Sequence, residues 1–300
     1  MSKVTEGSCR VQSFLDKLQR AWERSGSLLC VGLDPNLEML PAPFAWVASA
    51  DSAGKARAVL EFCIRIIDAV HHFVCAFKPQ YACFAALGPE GISALRDVIC
   101  HVREVSPELL VILDAKRADI GVTSRMYAAE AFDVLCADAV TVNPYMGFDA
   151  LEPFLERPER GVFVLCRTSN PGAGEVQDLL VSTEYGELPL YMAVAFMVSR
   201  RWNTNRNCGL VVGATNPAEL SRVRAEVGEL PILVPGVGAQ GGDLRSCVSA
   251  GLDAHKTGLV VNVSRAVLYA GMDNDFDEAA KQQAKRFRDE INRYRGVSHG

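Results

Sequence analysis

The segment VILDAKRADIG holds the densest group of chemistry-bearing residues in the chain, Asp114, Lys116 and Asp119. An ammonium flanked by carboxylates suits a reaction that builds up negative charge and then takes a proton, because the cation both stabilises the charge and carries the proton. Asp114 and Lys116 stand two apart at the end of an apolar run, so on a regular strand their side chains share a face. Asp34 in VGLDP and Lys78 in AFKPQ end apolar runs in the same way. Two carboxylates and two ammonium groups converging on one small volume cost solvation unless they neutralise one another, which is the mark of a site that must stabilise charge. For the Asp-x-Lys pair alone a surface ion-pair network is the better explanation. Four strand-end charges in register reverse that balance.

The elements that would position these charges are eight short apolar runs, Leu28 to Leu33, Val74 to Phe77, Leu109 to Leu113, Ala139 to Val142, Val162 to Cys166, Gly209 to Gly213, Ile232 to Val234 and Gly258 to Val261. Continuous apolar runs of this length read as strands buried on both faces. Amphipathic segments separate them, among them the stripe Val59, Phe62, Cys63, Ile66, Ile67 and Val70 at helical spacing. A further stripe, Val11, Phe14, Leu15, Leu18 and Trp22, precedes the first run and predicts a helix closing the bottom of a barrel, and Asp275 to Arg295 predicts a terminal helix. Eight β/α units in 300 residues fit a single (β/α)8 TIM barrel, which needs about 250. An open doubly wound sheet is the alternative, since alternation does not show closure. No linker or repeat divides the chain, so residues 1–300 are read as one domain. The long connection from Arg167 to Cys208, with SNPGAGEVQD and a helix around Leu190 to Trp202, reads as a lid beside the barrel mouth.

In a TIM barrel the loops after the strands build the active-site face, and those after strands seven and eight commonly hold phosphate. Here VPGVGAQGGD follows the seventh run, where glycines let backbone N–H groups approach an anion and Gln240 adds an amide donor. VNVSRAV follows the eighth and sets Arg265 at a helix start, suited to the same phosphate. A formal charge of −5 and a pI near 5.6 argue against a broad nucleic-acid-binding face, though not against a local anion pocket. The N-terminal stretch lacks the apolar core of a secretory signal and no run of about 18 apolar residues occurs, so a cytoplasmic location with no membrane partner is expected. Ten cysteines lie scattered without a CxxC pair and read as reduced, mostly buried thiols.

Taken together, VGLDP, AFKPQYACF, LDAKRADIGVTS, VTVNPYMG, RTSNPGA, VPGVGAQGG and SRAV resemble the orotidine 5'-monophosphate decarboxylase family from about Asp34 to Arg265. FKPQ and RTSNPGA bring the chain nearest to the longer bacterial branch of that family. The resemblance implies a lyase of pyrimidine (UMP) biosynthesis, a homodimeric TIM barrel that converts orotidine monophosphate to uridine monophosphate without cofactor or metal. It implies that Lys116 protonates C6 of the pyrimidine, that Asp114 lies beside the substrate carboxylate, and that Lys78 links this array to the ribose. Asp34 would bind ribose hydroxyls. Asp119 would reach across the dimer to the partner's ribose, with Thr123 nearby. Ser169 would contact the pyrimidine, and Gln240 and Arg265 the phosphate. Ala266 departs from the glycine that the family pattern leads one to expect.

Losing carbon dioxide from C6 leaves electrons in an orbital that the ring does not delocalise, so a fixed ammonium has to take the place of an electron sink. Metal-dependent relatives with DxKxxD, such as hexulose-phosphate synthases, resemble one another in a glutamate metal ligand at the end of strand two. Lys78 stands there in this chain, a cation where a cation ligand is required. A non-catalytic nucleotide-binding barrel is the other alternative, and the intact Asp114, Lys116, Lys78 and Asp119 speak against it. The five histidines show no metal-ligand spacing. Arg117 alternates away from Lys116 and is expected to face solvent or serve structure. Asn143 is expected either to line the pocket or to start a helix, and Tyr145 and Met146 either to pack near the site or to fill core.

Overall fold

A computed structural model describes residues 12–184, 186–237 and 243–297. All eight apolar runs form strands: Leu29–Leu33, Ala76–Pro79, Leu110–Arg117, Ala139–Val142, Gly161–Arg167, Cys208–Val212, Ile232–Val234 and Leu259–Val263. They are referred to below as the first to eighth barrel strands. Each pairs in parallel with its neighbour in sequence, and the first also pairs with the eighth, Leu29 opposite Val261, which closes the sheet. That pairing excludes the open doubly wound alternative. The strands are apolar along most of their length because they are covered twice, by side chains filling the barrel and by the ring of helices outside.

The bottom of the barrel is closed as the N-terminal stripe predicts. Helix Phe14–Ser25 starts at a capping box in which Ser13 and Asp16 satisfy each other's backbone N–H groups. Its first residue, Phe14, meets Phe163 edge-on at 5.9 Å. Gly161 makes this approach possible, since a Cβ there would lie 2.4 Å from the Phe14 ring. The terminal helix Phe276–Arg295 lies over helix Ser52–Val70, with Phe276 stacked on Phe62 at 5.5 Å. Near its end Asn292 donates to the Gly26 carbonyl at 2.8 Å, tying the two ends of the described chain together.

The third strand extends to Arg117 and the fifth to Arg167, each past the end of its apolar run, so the charged residues at the barrel mouth sit on strand backbone. Between the fifth and sixth strands the chain forms a turn Pro171–Ala173, a short helix Gly174–Gln177, and an antiparallel hairpin of Leu180–Thr183 with Gly186–Pro189. The helix expected around Leu190 to Trp202 follows as Leu190–Met197, continuing into a wider turn at Val198–Trp202.

Gly161→Ala is expected to push Phe14 out of its seat and to lower unfolding stability by about 1–3 kcal/mol in urea denaturation. Wild-type stability in that variant would contradict this packing.

Candidate active site

A cavity of about 510 Å³ opens at the C-terminal ends of the strands. Asp34, Lys78, Asp114 and Lys116 line it together, as do Ser169 and Arg265. At its centre is Asp114, buried at the mouth of the third strand. Its Oδ2 accepts from Lys78 Nζ at 2.8 Å and from Gln80 Nε2 at 3.2 Å. Its Oδ1 accepts from Lys116 Nζ at 2.6 Å and from the Thr141 hydroxyl at 2.9 Å.

Burial pulls against the ionised form of Asp114, but the Lys78 and Lys116 ammonium groups outweigh it and hold the carboxyl well below the usual carboxylate range. Burial likewise opposes a charged Lys78, and Asp114 and Asp34 overcome it, so the lysine sits above its ordinary value. Lys78 has only 3 % of its side chain exposed, whereas Lys116 has 47 %. One ammonium is therefore locked in the wall and the other faces the cavity. Asp34 approaches Lys78 Nζ at 3.9 Å, too far for a hydrogen bond, and its buried Oδ1 has no hydrogen-bond partner among the described residues. Such an oxygen is placed to accept from a ligand hydroxyl.

Asp114 and Lys116 meet in the cavity, but not through the regular pleat expected from their spacing. Leu113 stands opposite Val140 and Arg117 opposite Val142, so Asp114, Ala115 and Lys116 together face Thr141 alone. Lys116 takes up this bulge with φ of +48°, a left-handed backbone that L residues rarely adopt.

The remaining expected site residues divide. Ser169 lies close against the end of the sixth strand because Gly213 there has no side chain; a Cβ would come within 2.7 Å of the Ser169 Cβ. Arg265 opens the turn Arg265–Leu268 at the mouth and makes no ion pair that is seen among the described residues. Asp119 and Thr123 do not line the cavity. Asp119 accepts from the Ile120 backbone at 2.8 Å, Thr123 is exposed, and both sit beside the exposed Ile120, Val122 and Met126. Gln240 lies outside the described residues.

Arg117 is structural. It forms two hydrogen bonds to Glu130, at 3.1 and 2.9 Å, and lies over the Tyr81 and Tyr127 rings. Asn143 caps a turn by accepting from the Tyr145 backbone at 3.0 Å, which favours the helix-start reading, and Tyr145 and Met146 are exposed rather than core. Gln80, Thr141 and Gln177 are cavity residues that sequence reasoning missed. Gln177 accepts from the Thr168 backbone at 2.9 Å and donates to its hydroxyl at 2.8 Å, folding the loop after the fifth strand back onto the cavity. Among the described residues no three His, Cys, Asp or Glu side chains gather as a metal site.

A closed parallel barrel with a linked row of ion pairs in a cavity at the C-terminal ends of its strands has the form of an enzyme of the TIM-barrel class. The chain belongs to the Orotidine 5'-phosphate decarboxylase / HUMPS family, whose model matches residues 27–282. It is 51% identical over 282 residues to the orotidine 5'-phosphate decarboxylase of Janthinobacterium sp. (strain Marseille), covering 94% of this chain and 99% of the relative. The Dechloromonas aromatica (strain RCB) orotidine 5'-phosphate decarboxylase is 51% identical over 283 residues, 94% of this chain and 100% of its own length. Among solved structures, Leishmania donovani OMP decarboxylase superposes with a TM-score of 0.80 at 41% identity, over 95% of this chain and 100% of that one.

Asp114→Asn is expected to cost about 3–5 kcal/mol at neutral pH, because it leaves the buried Lys78 ammonium without its nearest carboxylate. Asp114 is depressed, so its share of stability is present above its unfolded value of about 3.9 and is lost as pH falls from there. Lys78 is raised, so its share is present below about 10.4 and is lost as pH rises further. The stability gap between wild type and variant, followed by urea unfolding, should be flat from about pH 5 to about pH 7 and shrink outside those limits, as Asp114 of wild type takes up a proton below them and the poorly paired Lys78 of the variant sheds one above. A gap that varies within that window would contradict the pairing.

Proposed function

We infer that this chain decarboxylates orotidine 5'-monophosphate to uridine 5'-monophosphate in pyrimidine nucleotide synthesis. Curated decarboxylases half identical over nearly their whole length support the reaction. The observation that carries the mechanism is the buried Asp114 held between two ammonium groups, one fixed and one facing the cavity.

In this reading the C6–carboxylate bond breaks, carbon dioxide leaves, and the electron pair stays at C6 beside the Lys116 ammonium. That ammonium stabilises the pair and gives it a proton, and its open side lets it be reprotonated from solvent. Asp114 lies beside the departing carboxylate, and Lys78 holds Asp114 and Asp34 in one row leading to the ribose. Ser169 contacts the pyrimidine, and Arg265 with Gln240 takes the phosphate. No cofactor or metal enters the mechanism. The Lys78 ammonium, 2.8 Å from Asp114, fills the volume where a divalent cation bound to that carboxylate would sit, which disfavours a metal-dependent reaction of the wider family.

We further propose a cytoplasmic homodimer in which residues 1–300 form one domain and Asp119, with Thr123, completes the partner's ribose site. Two observations support it. Asp119 lies off its own cavity, and Ile120, Val122 and Met126, which follow it in sequence, are 58–62% exposed, an apolar surface suited to a second copy. No helix among the described residues is long and apolar enough to cross a membrane.

Chelator-treated enzyme should consume orotidine monophosphate, seen by ultraviolet absorbance, while Lys116→Ala loses at least about a thousandfold in kcat. Absence of turnover by wild type, or loss that added metal restores, would refute the reading. Mixing inactive Lys116→Ala and Asp119→Ala subunits should restore activity through heterodimers with one intact site; no recovery despite subunit exchange would count against the shared site.

A further inference from the structure

Thr141 is only 1 % exposed, on the fourth strand opposite the bulge of the third, and its hydroxyl has one hydrogen and two lone pairs to place. All three are used. The hydrogen goes to Asp114 Oδ1 at 2.9 Å. The lone pairs accept the backbone N–H groups of Ala115 at 3.1 Å and Lys116 at 3.0 Å. These are the amides that a three-against-one bulge turns away from the ladder, and one of them belongs to the residue with the left-handed backbone. Left unpaired in a partly buried wall, such groups would favour a return to regular strand geometry. Regular geometry would keep the two side chains on one face but would remove the left-handed turn at Lys116 that brings its ammonium within 2.6 Å of Asp114.

Building on the decarboxylase reading, we propose that Thr141 is a positioning residue: its hydroxyl holds the Asp114–Ala115–Lys116 bulge in the shape that sets the Lys116 ammonium against Asp114 and toward the reacting carbon. It binds no substrate, because its hydrogen-bonding capacity is spent on the protein. The neighbouring strand therefore controls the geometry of the reacting pair. Loss of the hydroxyl should act on the chemical step more than on binding, since the ribose and phosphate groups are held by other residues. A shift of about 1 Å in a reacting group can cost about a hundredfold in rate.

The test compares Thr141→Val, which keeps the branched shape and lacks the hydroxyl, with Thr141→Ser, which keeps the hydroxyl. With orotidine monophosphate as substrate, the valine variant should lose roughly 10- to 100-fold in kcat with KM within about threefold of wild type. The serine variant should stay within about threefold in kcat. A valine variant within about twofold of wild type in kcat would overturn the proposal, as would a serine variant as impaired as valine or a loss confined to KM. Circular dichroism and thermal melts check folding. If valine does not fold, Thr141→Ala takes its place with the same expectations; failure of both to fold beside an active serine variant would assign Thr141 to folding and overturn the role in chemistry. Wild-type enzyme that does not turn over orotidine monophosphate would refute the decarboxylase reading itself, whereas turnover by wild type and valine alike refutes only this proposal.

Discussion

The mouth of the barrel is organised around one desolvated carboxylate. An ionised Asp114 in that position is tolerable only because four donors converge on its two oxygens, from Lys78, Gln80, Lys116 and Thr141. Each donor comes from the second, third or fourth strand or the residue just after it, so the carboxylate also fastens neighbouring strand ends to one another. With Asp34 included, two carboxylates balance two ammonium groups, and the wall is close to neutral before any ligand arrives. The asymmetry lies in exposure. Lys78 is enclosed and serves the wall, while Lys116 keeps an open side. Preorganisation of this kind lets a cation act on developing charge without first having to move.

The barrel supplies the rigidity this arrangement needs. Strands buried on both faces leave little freedom to the residues at their ends, and the close approaches at Gly213 and Gly161 show how tightly the two ends of the barrel are set. At the site end, tight packing brings Ser169 to the cavity. At the other end, it seats the helix that closes the barrel. The bulge opposite Thr141 is the one departure from regular pairing in the strand that carries Asp114 and Lys116, and it lies at the cavity.

Much of the fold was legible in the residues because burial on both faces leaves a plain mark, an unbroken apolar run, and each of the eight runs became a strand. Of the candidate site, Asp34, Lys78, Asp114, Lys116, Ser169 and Arg265 line a common cavity, as their places at strand ends suggested. The route to that result was partly different. The two-residue spacing of Asp114 and Lys116 implies a shared face only on a regular strand, and a bulge is set by register against a neighbour rather than by local pattern. Thr141 escaped notice for a related reason: in VTVN it reads as an ordinary β-branched strand residue, and its task appears only when the third strand is laid beside it. The hairpin after the fifth strand was missed because its strands are four residues long and largely exposed, leaving too weak a hydrophobic pattern to register. Asp119 and Thr123 sit outside the cavity, where a single chain gives them no site.

The central claim, that the Lys116 ammonium stands against C6 and is the acid that serves it, can be read without following decarboxylation at all. By microscopic reversibility the same group should remove and return the C6 proton of the product. Uridine monophosphate incubated with the enzyme in D2O and followed by proton NMR should lose its C6–H signal with wild type and retain it with Lys116→Ala. Equal exchange rates in the two proteins would contradict the account.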